Sequence, residues 1–293
     1  MMIMKGTGLL LLMLLTTRAI YAQEDLLALV DDGPKKERVK NAFKSTRVIN
    51  GHSMEFLAKG TLDVRILHRF GKLNSGPENF FGLDQASMRL GFDYGITNSI
   101  TVGVGRSTFR KELDGFIKVR PVWQSTGPGG WPFSVVMVGG MTYDGMPWAD
   151  LTRPNYISSK IAYYNQVIIG RKFSDGFSLQ LTPTMLHRNL VPTEADPNDI
   201  YALGIGGRIR LSNRVSFTWD YFYVHNGLNR NTNYFPLSVG FDIETGGHVF
   251  QLNFTNAVGM NERAFLTDTT LDWTKGDVMF GFNLSRVFTI GKR

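Results

Sequence analysis

The chain has 293 residues, of which 43% are hydrophobic, 12% aromatic and 19% charged, with 32 glycines. That balance excludes a disordered chain, which would carry fewer aromatics and more charge. There is no Cys, so disulfides, thiolate metal sites, covalent haem attachment, cysteine nucleophiles and a lipidated cysteine are all excluded. The net charge of +7 is modest and scattered, without the basic stripe of a nucleic-acid binder.

Residues 1–22 read as a secretory signal. Lys5 supplies the positive start, Leu9 to Leu15 a short apolar core, and Ala19-Ile20-Tyr21-Ala22 a small residue at the cleavage point. The apolar run is shorter than the roughly 20 residues of a membrane helix. Cleavage before Gln23 leaves 30 basic against 25 acidic residues, because the leader holds only Lys5 and Arg18. Residues 23–59 read as an N-terminal periplasmic arm. Leu26, Leu27, Leu29 and Val30 form an apolar cluster broken at Gly33-Pro34, and Val39 and Phe43 stand at helical spacing in a charged run. Such an arm is either a mobile segment or one that folds into a lumen or docks a periplasmic partner.

From about residue 60 to the end the apolar period is two. Leu62, Val64, Ile66 and Phe70 alternate with Asp63, Arg65 and Arg69, and Met88, Leu90, Phe92 and Tyr94 with Arg89, Gly91 and Asp93. Similar runs follow near 100–105, 177–185, 201–211, 215–223, 235–243, 250–254 and 280–284, with less tidy ones at 114–124, 132–143 and 159–172. These runs predict an all-β, up-and-down antiparallel barrel of about twelve strands spanning 60–293, its strands close to the length needed to cross a bilayer. Tight links at Thr97-Asn98-Ser99, Ser174-Asp175-Gly176, Ser212-Asn213-Arg214 and Thr245-Gly246-Gly247 share one parity, with a fairly short one around 127–130. Most links of the other parity are longer, at about 71–83, 144–158, 189–199, 226–233 and 258–275; the link near 110–113 is the exception. Short periplasmic turns, long outer loops and both termini on the short-turn side form the outer-membrane pattern. A soluble sandwich would show Lys and Glu on its polar face. Here that face carries Gly, Ser, Thr, Asn and Gln with some Arg and Asp. Trp123, Trp131, Trp148, Tyr143, Tyr201 and Tyr223 fall near strand ends, where aromatic girdles sit.

Several stretches carry a resemblance: Ile49-Asn50-Gly51-His52-Ser53-Met54-Glu55, His68-Arg69-Phe70-Gly71, Asn79 to Asp84, Met88-Arg89-Leu90-Gly91, Val102 to Ser107 and Asp114-Gly115-Phe116. Together they resemble a family of Bacteroidetes outer-membrane β-barrels known only as a domain of unknown function, most strongly over 45–120. The resemblance implies a barrel in a Gram-negative outer membrane and no particular activity. One departure is the end: Phe288 is followed by Thr289 to Arg293, which displaces the usual terminal aromatic.

Candidate chemistry is sparse. His52 and Glu55 would share a helix face but make half a metal site; His68, His187, His225 and His248 are isolated. A membrane hydrolase would need a nucleophile beside a His and an acid. His187, Ser178 and Asp220 exist, but no local signature links them. The loop acids Asp144, Asp150, Glu194, Asp196 and Asp199 lack calcium-loop spacing, and Gly103 and Gly105 read as strand glycines that leave lumen space. No cofactor is expected. The strongest feature is the inward charge: Arg65, Arg69, Arg89, Lys118, Arg120, Arg208 and Arg210 against Asp63, Asp93, Asp220 and Asp242. Buried charges pair or stay wet, so the lumen is either plugged by ion pairs or a narrow anion-preferring path, and Asp220 is the nearest acid for Arg208 or Arg210. The expected function is passage or binding of a small polar or anionic solute. The alternatives are a structural or docking barrel, binding a protein partner through its arm or outer loops, and thirdly a hydrolase. Expected partners are outer-membrane lipid, that solute and a periplasmic protein.

Overall fold

In the computed structural model residues 35–290 are described, apart from 153, 192, 226, 227 and 230; the signal sequence expected over 1–22 lies outside them. Twelve strands make the wall: β1 (Thr61–Lys72), β2 (Ala86–Thr97), β3 (Ile100–Ser107), β4 (Leu113–Val122), β5 (Ser134–Tyr143) and β6 (Ile161–Lys172). The other half is β7 (Phe177–Arg188), β8 (Asp199–Arg210), β9 (Val215–Val224), β10 (Leu237–Thr245), β11 (His248–Thr255) and β12 (Met279–Thr289). Each pairs antiparallel with its sequence neighbours, and β12 closes on β1, with Leu284 opposite Ile66 and Thr289 opposite Thr61. Closure leaves no sheet edge, so every strand's backbone groups are satisfied without water. The chain leaves β12 at the short-turn end, where Ile290 N donates to Gly60 O at 2.9 Å.

The wall follows the two-residue period. On β1 the inward Asp63, Arg65 and Arg69 are buried, and the outward Val64, Ile66 and His68 are half-buried. The outer face is apolar, with Val104, Ile117, Met137, Leu203, Phe241 and Leu252 exposed where lipid lies. Tyr201 and Tyr223 are exposed near the long-loop ends of β8 and β9, and Trp131 at the opposite end.

Two segments fill the interior. Residues 42–57, placed by sequence within an N-terminal arm, lie inside the barrel: Ala42, Phe43, Val48, Ile49, Met54 and Leu57 are all buried. Residues 35–41 and 58–59 stay at the short-turn mouth, where Glu37–Arg38 pairs with Ser125–Thr126 as a two-residue ladder and Lys59 N donates to Asn98 Oδ1. From the long-loop end, residues 256–269 turn inward around a short helix, α1 (Glu262–Thr267), all six residues of which are buried. The interior is therefore not polar throughout. Val136, Val138, Tyr164, Ile168, Leu186 and Phe222 point inward and pack with Phe43, Met54, Phe265 and Leu266 as an apolar core. These inward hydrophobes depart from the expected polar lumen because they face protein segments rather than water.

Candidate functional site: the plugged lumen

The plug is a hairpin. Arg47 and His52 form an antiparallel bridge, and Val48 N donates to Gly51 O at 2.8 Å across the apex. Three successive amides at the apex, Ile49, Asn50 and Gly51, donate to Asp220 Oδ2 at 3.2, 2.7 and 3.0 Å. A carboxylate held in such a concavity of N–H groups is the anion-nest arrangement. Gly51 is required by space: a Cβ there would stand 2.6 Å from the Phe222 ring. Asn50 fixes the apex laterally, giving Nδ2 to Ser238 Oγ at 2.8 Å and accepting from Arg69 Nη2 at 3.0 Å. The apex is closed by wall amides, since Gln251 Nε2 donates to Val48 O at 2.5 Å and Asn283 Nδ2 to Ile49 O at 3.2 Å. Gln180 reads both edges of the hairpin, accepting from Met54 N at 2.9 Å and donating to His52 O at 2.7 Å.

The predicted lumen charges divide into two groups. The first pairs within the wall: Arg65 with Asp63 at 2.8 Å and Asp93 at 3.4 Å, and Arg89 with Asp114 through bonds of 2.8 and 2.5 Å. Arg89 fits because Gly105 faces it; a Cβ there would come within 2.2 Å of Nη2. Arg69 belongs with them by position but bonds Asn283 at 2.8 Å and the plug's Asn50. The second group bonds main-chain carbonyls of the plug. Lys118 donates to Glu55 O at 2.7 Å and Thr46 O at 3.3 Å, Arg120 to Met54 O, and Arg208 to Ala42 O at 3.0 Å and Asn41 O at 3.3 Å. Arg120 is also stacked between Phe56 and Trp123, 4.4 and 3.9 Å from the ring centroids. Asp242 takes Gln251 Nε2 at 2.6 Å and Thr218 at 3.4 Å.

Two expectations need correction. Arg210 has inward parity but is exposed; it lies at the end of β8 beside the turn and donates to Asn213 Oδ1 at 2.7 Å. Asp220 pairs with neither Arg208 nor Arg210, because the plug's amides occupy it and Arg208 turns to Ser216 Oγ at 3.0 Å and the plug. Sequence parity could find Asp114, but nothing local points to Arg47, Glu112, Glu262 or Arg263, which meet only through the inward loop.

The two inward segments touch at one carboxylate. Glu262 Oε1 lies 3.0 Å from Arg47 Nη1 and 3.4 Å from His52 Nε2, with Arg47 Nη2 3.4 Å from the same imidazole nitrogen. Burial, then the charges of Arg47, Lys118, Arg89 and Arg65, hold the His52 pKa well below its ordinary range. His52 is thus a neutral ring between charged partners. Behind α1, Glu112 takes Asn261 Nδ2 at 2.6 Å and Arg263 Nε at 2.5 Å, which ties the inward loop to the wall.

The other sequence candidates do not converge. Glu55 caps Ala42 N at 2.5 Å, away from the His52–Glu262 contact, and the segment between His52 and Glu55 is not helical. Ser178 and Asp220 are buried inside, whereas His187 is on the outer face, 2.8 Å from Asp199. Asp144 pairs with Arg110 and Asp150 caps Thr152. Among the described residues no three His, Asp or Glu side chains converge in the manner of a metal site.

No curated protein matches the sequence. Among solved structures, the KdgM porin is 9% identical with a TM-score of 0.46, covering 78% of this chain and 99% of its own. The Acinetobacter baumannii outer membrane protein Omp33 is 8% identical with a TM-score of 0.42, covering 78% and 99%. A family model described as a membrane bound beta barrel domain (DUF5777) matches residues 43–288, so nearly the whole plugged barrel is the family's unit. The closed twelve-strand wall with its apolar outer belt is a membrane-bound β-barrel, and the chain belongs to the DUF5777 family of membrane-bound β-barrel domains.

Proposed function

We propose that this barrel handles a small polar or anionic solute and rests closed, with residues 42–57 as an internal plug whose displacement opens the path. The observation that carries this reading is the pairing of Lys118, Arg120 and Arg208. None of the three forms an ion pair among the described residues; each is answered by plug carbonyls. Plug carbonyls thus stand where an anion's oxygens would. Withdrawing the plug would uncover these three cations and Arg69, which bonds Asn50, against the carboxylates that it also releases, Asp220 and Glu262 inside and Glu244 at the rim. A lumen with that excess favours anions.

Planar-bilayer recording tests the reading. The wild-type protein is expected to be silent, and a variant lacking 42–57 to show steps with anion preference that falls in Arg208→Ser. Steady wild-type conductance, or a folded deletion variant that stays silent, would refute it. A second reading, docking of a periplasmic protein, is favoured by the ladder of Glu37–Arg38 with Ser125–Thr126. If the short turns face the periplasm, that ladder would hold the plug's leading end within reach of such a partner.

A further inference from the structure

At the long-loop end the mouth holds a cleft of about 400 Å³, within the range of small-molecule sites. Its walls come from the loop after β5, the start of β6, the end of β7 and the inward loop around α1. Four cations line it, Arg110, Lys160, Arg188 and Arg263, against the carboxylates Asp144 and Asp268. Two of these cations are answered. Arg110 pairs with Asp144, and Arg263 pairs with Asp268 at 2.7 Å and with buried Glu112 behind the wall.

Lys160 and Arg188 form no ion pair among the described residues. The Lys160 ammonium donates to Met146 O and lies 4.1 Å from the Trp148 ring centroid. Arg188 is only 7% exposed. Its Nη2 donates to Pro197 O at 2.9 Å, and its Nε is buried with no hydrogen-bond partner. Arg188 lines the cleft with only one of its five N–H donors shown bonded, so its guanidinium has capacity left for an acceptor that enters the cleft. Arg188 pairs in register with Ala162, two residues from Lys160, which puts both cations on one stretch of the rim.

We infer that this outer cleft binds a small solute bearing one carboxylate or phosphate group. The anion sits between Arg188 and Lys160, and the rest of the solute lies against Trp148. The guanidinium supplies directional donors and the ammonium a point charge. Outer-leaflet lipids carry phosphate too, but Ala162 and Arg188 are inward-facing residues, so the cleft opens to the barrel mouth rather than to the lipid belt. This inference deepens the solute-handling reading and rests on it.

Isothermal titration calorimetry on the full-length protein in detergent, with glucose 6-phosphate, glucose and lipopolysaccharide as probes, tests it. Glucose 6-phosphate is expected to bind at least tenfold more tightly than glucose. Arg188→Gln and Lys160→Gln should each weaken it about tenfold, and Arg286→Gln, at the opposite rim, should leave it unchanged. Lys160 is a loop-end surface residue, so its variant keeps the test decisive if Arg188→Gln fails to fold. Equal affinity for the two sugars, unaltered binding in the folded variants, or binding of lipopolysaccharide alone would overturn the inference. Conductance is measured separately: binding here without anion-preferring steps in the plug deletion would sink the plug reading and leave the cleft standing.

Discussion

Asp220→Ala should release the plug apex. One carboxylate oxygen accepts the amides of Ile49, Asn50 and Gly51 at 3.2, 2.7 and 3.0 Å. Hydrogen bonds to a charged group contribute about 1.5–3 kcal/mol each when taken singly. Three that share one oxygen contribute less than their sum, and losing the carboxylate also relieves its desolvation. A net cost of about 3 kcal/mol remains, which converts to a roughly hundredfold rise in the released population. The chain has no Cys, so a single thiol reports on that population. Ser53 suits the purpose: it is fully buried, and its hydroxyl donates to Ser45 O at 2.6 Å within the hairpin. In Ser53→Cys, a small maleimide should label the folded barrel slowly; adding Asp220→Ala should speed labelling about a hundredfold, and Asp220→Asn, which keeps an acceptor oxygen, by about tenfold. Labelling within threefold of the parent in a folded Asp220→Ala barrel would refute the nest as the plug's anchor. Fast labelling of the parent would refute the docked plug itself.

The same thiol reads a pH effect. His52 titrates well below its ordinary value when docked, chiefly through burial, so the docked plug refuses a proton that the released plug accepts. The docking energy is therefore intact above about pH 6.5 and falls as the pH drops below it, by about 1.4 kcal/mol, or tenfold in population, per pH unit. Labelling of Ser53→Cys, divided by the rate of a free thiol at the same pH because the thiolate is the reacting form, should rise accordingly between pH 6.5 and 5.5, and His52→Gln should flatten that rise; a flat normalised profile in the parent would show that the ring is not kept neutral by the docked state. On topology, a peptide tag within 189–199 should be detected on intact cells and one at Thr245-Gly246 only after permeabilisation. Reversed access would overturn the assignment of the short turns to the periplasm.

The wall was legible because its cause is local. Val64 and Ile66 point to lipid while Asp63 and Arg65 point inward, and a two-residue period records that choice at every step. Turn length was legible for the same reason, down to the short links at 97–99 and 245–247. Parity alone does not give depth along the strand, so it groups Arg210 with Arg208 although Arg210 is exposed at the strand end beside the turn. Parity also carries no information on what fills a lumen. Phe222 and Val224 follow Asp220 at inward positions on β9, but they pack in the apolar core. A water-filled interior predicts polar residues there; a filled one predicts hydrophobes, and the strand pattern by itself is compatible with either.

What fills the lumen is non-local, and that explains why the sequence leaves three fates open for the arm. Arg47 and Glu262 are 215 residues apart, and no periodicity relates them. The hairpin's own sequence is polar and short, with its hydrophobes Val48, Ile49 and Met54 too few to form a core alone; they are buried only because the barrel surrounds them. The word Ile49-Asn50-Gly51-His52 could be recognised as shared with a family, but its meaning required the wall. Asn50 and Gly51 turn the chain at Asp220, with Gly51 yielding space to Phe222. His52 turns back toward Glu262. A charge census cannot reveal this either, because Lys118, Arg120 and Arg208 are balanced by carbonyl dipoles rather than by carboxylates. Counting seven bases against four acids therefore implied an unmatched lumen, whereas the structure holds a matched one that becomes unmatched only when the plug moves.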